Sequence, residues 1–166
     1  MYKIDDLVIY RRDVCRVVGQ EVSPTSGEDC YVLTPYETDD GSVRMLVPVS
    51  NKGGHLRDVI TPAEAELLME NLDRIQPLVD KPANMKSQYV AMLKGDDIED
   101  LIRVIKTAYM RNRTRMDNHK KLAAIDGEYL GRAQNYLLKE LSVSYQKDYK
   151  TVEEDFLESL RRHGIG

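Results

Sequence analysis

Leu56-Arg57-Asp58-Val59-Ile60-Thr61-Pro62-Ala63-Glu64 is the stretch in which the chain passes from one structural period to another. Up to Ile60, short β-branched and aromatic runs are interrupted every few residues by turn chemistry. At Thr61 a hydroxyl is placed to cap a helix. Pro62 fits the first helical position, where a missing N–H costs nothing, and Glu64 completes a capping box. Ala65, Leu68, Met69, Leu72 and Ile75 then recur at helical spacing until Pro77.

Toward the N-terminus, Leu7-Val8-Ile9-Tyr10, Val14-Cys15-Arg16-Val17-Val18, Cys30-Tyr31-Val32-Leu33 and Val43-Arg44-Met45-Leu46-Val47 read as strands, with Leu56 to Ile60 as a fifth. Arg11-Arg12-Asp13 is a break, and Gly19 marks a candidate bulge. Ser23 to Gly27 is a turn, and Glu37-Thr38-Asp39-Asp40-Gly41 is another with an Asp-Gly step. The expectation is a small antiparallel barrel over residues 1–60 that leaves an edge strand available. The candidate edge is Val43 to Val47, stopped by Pro48; the alternative is a central strand whose apolar residues are plain core.

Toward the C-terminus everything reads as helix. Residues 61–82 are expected to be a connecting helix and linker, ending in Asp80-Lys81-Pro82. A helical domain over 83–166 follows. Met85, Tyr89, Met92 and Leu93 form a stripe that stops at Gly95. Asp97 caps the next helix, with Ile98, Leu101, Ile102, Ile105 and Tyr109 on one face. Asn112 to Asp117 is polar and reads as a loop or frayed end. Tyr129, Leu130, Ala133, Tyr136, Leu137 and Leu141 mark a long helix. Lys147 to Lys150 is a break before a second capping box, Thr151 to Glu154.

The 166 residues carry a net charge of −4, but the sign varies along the chain. Residues 61–80 hold five acids and one base. Residues 103–121 hold Arg103, Lys106, Arg111, Arg113, Arg115, Lys120 and Lys121 against Asp117 alone. Such asymmetry points toward a polyanionic partner, because Lys and Arg neutralise phosphates and release counterions. The alternative is a solvated helix end, since Asp96, Asp97, Glu99 and Asp100 precede the bases in the order that suits a helix dipole.

No P-loop, GxGxxG, GxSxG or metal-ligand spacing exists, so no catalytic residue, metal or cofactor is expected. Cys15 and Cys30 read as small apolar side chains in a reducing compartment. No apolar run is long enough to cross a membrane, and Asp5-Asp6 stand where a signal peptide needs bases, so a cytoplasmic location is expected. A β module joined to a basic helical part, with no active site, suits a chain that joins two macromolecules. Met85, flanked by Lys86, is a candidate wedge for a DNA minor groove; the alternative, which residue type favours because Met usually fills core gaps, is a bundle-core residue.

The order and spacing of these elements resemble the CarD/CdnL family of bacterial transcription regulators. The likeness is carried by Asp6 to Tyr10, Met45 to Asn51 and Leu56 to Ile60. In the C-terminal part it is carried by Asp126 to Leu130, Arg132-Ala133, Leu137, Lys139 to Leu141, Val152 and Leu160. The resemblance implies an α+β chain: an SH3/Tudor-like β-barrel binding the RNA polymerase β subunit, then an all-α domain touching promoter DNA largely independently of sequence. The family stabilises the open complex from the upstream edge of the bubble. Carried over, polymerase contact falls on Arg44, Met45, Leu46, Val47 and Pro48. DNA contact falls on Met85, Lys86, Tyr89 and nearby bases; because Ser87 and Gln88 are neutral where the family is basic, weaker DNA binding, or contact shifted along the basic stretch of Lys106 toward Arg111, Arg113 and Arg115, is the expectation. The family's wedge is a tryptophan, and this chain has none; Met85 occupies its place. A monomer is expected, with a dimer as the alternative. The second functional reading is a polymerase-bound adaptor that recruits a protein and binds little or no DNA.

Overall fold

The computed structural model describes residues 1–38 and 41–166, so the expected Asp40-Gly41 step lies partly outside the described residues. The chain divides into two compact units, Met1–Val59 and Ile60–Gly166.

The first unit is one antiparallel sheet of β1 (Leu7–Tyr10), β2 (Asp13–Val22), β3 (Asp29–Pro35), β4 (Met45–Pro48) and β5 (Leu56–Asp58). The strand order is β4-β3-β2-β1-β5. The expected barrel is therefore corrected to an open five-stranded sheet: β4 and β5 are edges and do not pair with each other. Both are short, with four and three residues, and closure would need longer strands in matching register. Val8, Cys15, Val17, Tyr31, Leu33, Val47 and Leu56 form the core of this unit. The bulge falls at Val17/Gly19, as Gly19 suggests; two residues of β2 there oppose one of β3. Burial pushes the Cys15 thiol up to about 12, with Asp13 adding to the shift, so it stays protonated at neutral pH. Arg11 and Arg12 form the two-residue link between paired Tyr10 and Asp13, both at positive φ (48° and 77°). That is a hairpin turn of the type that favours Asn-Gly. A side chain in this left-handed region costs about 1–2 kcal/mol per residue.

The second unit holds α1 (Pro62–Glu70), α2 (Met85–Lys94), α3 (Ile98–Asp117), α4 (Ala124–Tyr145) and α5 (Tyr149–Arg162), with 3₁₀ turns at Leu72–Arg74 and Pro82–Asn84. The capping box at α1 is present: Glu64 N donates to Thr61 Oγ1 at 3.1 Å, and Thr61 N donates to Glu64 Oε1 at 3.2 Å. α3 packs against α4; α2 packs on both, and α1 and α5 pack on α4. Residues 61–82 are not a mere connector. Ala65, Leu68, Leu72 and Ile75 belong to the same buried cluster as Ile102, Ile105, Leu137 and Phe156. The stretch after α1 is also stitched to α3. Lys106 Nζ donates to the carbonyls of Leu72 and Ile75, both at 2.7 Å, and Leu78 N donates to Thr107 Oγ1 at 2.8 Å.

Two helix boundaries differ from the sequence expectation. Asn112 to Asp117 is the last turn and a half of α3, not a loop. Its polar side chains satisfy backbone rather than disrupt it: Thr114 Oγ1 donates to Met110 O, and Asn118 Nδ2 donates to Thr114 O. The helix ends in a Schellman arrangement, with His119 at φ 54° and the N–H of Lys120 reaching back to Arg115 O at 2.7 Å. α5 starts at Tyr149 because Asp148 is its cap. Asp148 Oδ1 accepts from Thr151 N at 2.8 Å, so Thr151 lies inside the helix.

Candidate functional site

Each unit presents one surface of interest. In the first unit it is β4, whose inner side pairs with β3 in the register Leu33↔Met45, Val32↔Leu46, Tyr31↔Val47 and Cys30↔Pro48. Its outer side pairs with no strand among the described residues. Strand alternation sorts the side chains. Val47 is buried in the sheet core, Met45 packs half-buried against that core, and Leu46 faces outward at 39 % exposure. Val43, just before the strand, is also exposed. Arg44 is held at the surface by Glu21, Nη2 to Oε1 at 2.6 Å. The backbone at outward-facing Leu46 can accept an added strand, while Pro48 closes this edge, having no N–H and a carbonyl that already accepts from Asn51 N at 3.1 Å.

In the second unit the sequence candidates separate into inside and outside. Met85 is 1 % exposed and Tyr89 is fully buried, both within the helical core. This corrects the wedge expectation: Met85 opens α2, but its side chain points into the bundle and meets no solvent. Tyr89 is fixed from both sides. Its ring stacks on Tyr129 with centroids 5.4 Å apart, and its hydroxyl donates to Asp126 Oδ1 at 2.7 Å. Burial, and then the Asp126 carboxylate, push the Tyr89 phenol well above its usual value, with Arg111 opposing. Arg111 Nε donates to the same Asp126 oxygen at 2.9 Å. Lys106 is buried on the 72–75 carbonyls. Desolvation pulls its ammonium below the ordinary lysine value, against an opposite pull from Asp73. Tyr89 and Lys106 are thus corrected to structural roles, and the Arg111 guanidinium is engaged by an internal carboxylate.

Lys86, Arg113 and Arg115 remain at or near the surface. Arg113 donates from Nη1 to Gly164 O and from Nη2 to Gly166 O, each at 3.3 Å, and Arg115 Nη1 donates to Lys121 O at 3.3 Å. A contact to a neutral carbonyl, as at Arg115, does not cancel the guanidinium charge. Exposed Lys120 and Lys121 follow on the turn after α3. The same end of α3 carries two residues that the sequence reading missed, Met110 at 51 % and Met116 at 64 % exposure. Arg111, Arg115, Lys120 and Met110 share a groove of about 290 Å³ with Pro77 and Leu78. Flexible apolar side chains among guanidinium and ammonium groups make a surface that can receive an anionic group beside an apolar one. The missed signal was the helical continuity of 112–117, which puts both methionines on a regular surface.

No cluster of three or more His, Cys, Asp or Glu suited to a metal ion is present among the described residues. Among them, no helix is long and apolar enough to cross a membrane. No protein-family model and no curated protein matches the chain.

Proposed function

We propose that this chain is a non-catalytic bacterial transcription regulator. It docks on the RNA polymerase β subunit by adding a polymerase strand to β4, through Arg44, Met45, Leu46, Val47 and Pro48. Its helical unit then contacts promoter DNA at the upstream edge of the bubble, largely without sequence preference. The order of motifs that resembles the CarD/CdnL family supports this reading. The observation that carries it is the outer side of β4, which pairs with no strand among the described residues and is flanked by exposed Leu46 and Val43. The DNA contact is moved from the start of α2 to the end of α3 and the turn after it: Arg113, Arg115, Lys120 and Lys121, with Met110 and Met116. Work is done by differential binding, since the melted promoter is favoured only as far as it is bound better than the closed one.

The second reading, an adaptor with little DNA binding, is favoured by one fact: Met85, Tyr89, Lys106 and Arg111 all face or pair with the interior. Binding of the full chain to forked DNA at several salt concentrations separates the two. If about four phosphates are neutralised, log affinity falls with log salt at a slope near −3.6 on a duplex, and somewhat less steeply on single strands. Charge reversal at Arg113, Arg115 and Lys120 then abolishes most of the slope. A slope near zero for the unsubstituted chain assigns the adaptor role.

A further inference from the structure

The sheet of the first unit curls until the Pro48 end of β4 and the Tyr10–Arg11 hairpin tip line one groove of about 260 Å³. Its floor includes buried Val47 and half-buried Pro48 and Tyr10. Its rim carries Arg11, Lys52 and His55 against a single acid, Glu28. The walls are braced. Asn51 Nδ2 donates to Leu56 O at 2.8 Å, and Leu56 N donates back to Asn51 Oδ1 at 3.2 Å, which closes the 51–56 loop on itself. Arg11 N donates to His55 O at 3.2 Å and ties the hairpin tip to that loop.

Arg11 is the unusual member. It occupies the first left-handed position of a turn where Asn would sit without strain. Its guanidinium lies over the Tyr10 ring, Cζ 5.5 Å from the centroid, with Nε donating to the Tyr10 hydroxyl at 3.1 Å. With Nε engaged by Tyr10, the two Nη groups are the donors left for a carboxylate. An arginine kept at a left-handed position that Asn would occupy with less strain is the motive for a functional reading of its side chain.

We propose that this groove is a specificity pocket for an Asp or Glu side chain on the extended protein segment that adds to β4. The inference rests on the reading of β4 as a docking edge. Main-chain pairing along an edge carries no sequence information, so a selective partner needs a side-chain pocket beside it. The cationic rim at the Pro48 end supplies one, and it selects an acid.

The test uses the full chain and purified bacterial RNA polymerase as the probe, with Arg11→Asn, Lys52→Gln and the double substitution. Arg11→Asn is expected to hold or raise the thermal midpoint, because Asn suits the positive φ, while lowering polymerase affinity at least tenfold. The double substitution lowers it further and flattens the salt dependence of association. Arg11→Asn binding as tightly as the unsubstituted chain overturns the pocket and leaves the docking edge standing. An affinity loss matched by a fall in thermal midpoint assigns the hairpin to folding and also overturns it. Failure of the unsubstituted chain to bind polymerase overturns both the edge and the pocket.

Discussion

Met85→Ala separates two roles that a sequence cannot tell apart. A buried methionine truncated in a packed core costs about 2–5 kcal/mol, so the denaturant midpoint falls sharply while DNA affinity of the folded protein holds. Met116→Ala is expected to do the reverse, with stability within about 0.5 kcal/mol of the parent and weaker binding to forked DNA. The α2 stripe of Met85, Tyr89 and Leu93 is visible in its spacing. Whether its first member faces in or out is set by tertiary packing, which spacing does not encode. Tyr89 adds a pH signature. Its folded value is raised above its unfolded one, so its stabilisation is whole below the ordinary phenol value of about 10 and is lost as pH climbs through the higher folded value. Tyr89→Phe removes a donor to buried Asp126. It is expected to cost about 1–3 kcal/mol at neutral pH and to flatten the alkaline loss of stability, as midpoints at neutral and strongly alkaline pH will show.

At the scale of elements, the cap of α5 gives the clearest division between what was legible and what was not. Thr151 to Glu154 has the form of a capping box, yet Asp148 accepts the Thr151 N–H, and the hydrogen bonds from Thr151 hold its carboxyl below the usual range. A one-turn ambiguity of this kind arises because Asp and Thr both cap, and only backbone geometry chooses. Asp148→Ala is expected to lower the thermal midpoint, and the loss shrinks as acid protonates the parent carboxylate. The α1 cap at Thr61 had no such competitor, and there the sequence and the structure agree. For β4, Leu46→Lys leaves the fold within about 0.5 kcal/mol, because the side chain is outward, and weakens polymerase binding in a pull-down or surface-binding assay. The strand itself was legible from its apolar residues. Its place at the sheet edge was not, because edge and centre share one composition.

The change of period at Thr61, where alternation gives way to helical spacing, lies beside the boundary between the two compact units at Val59–Ile60. Closure of the sheet was not legible, since it depends on the paired lengths of β4 and β5. Nor could the sequence sort the basic residues of 103–121: the helix turns some toward carbonyls and Asp126 and others outward, and only the outward ones stay accessible. The whole-molecule claim is that one chain holds polymerase by a strand edge and the opened promoter by the end of α3. A preference of about 1.4 kcal/mol for the melted state shifts the equilibrium tenfold. The direct measurement is the lifetime of promoter open complexes formed by bacterial RNA polymerase, challenged with a competitor, with and without the full chain. The account predicts a lifetime lengthened about tenfold, and loss of that effect on charge reversal at Arg113, Arg115 and Lys120. A lifetime unchanged by saturating protein that is shown to be bound to the polymerase would contradict it.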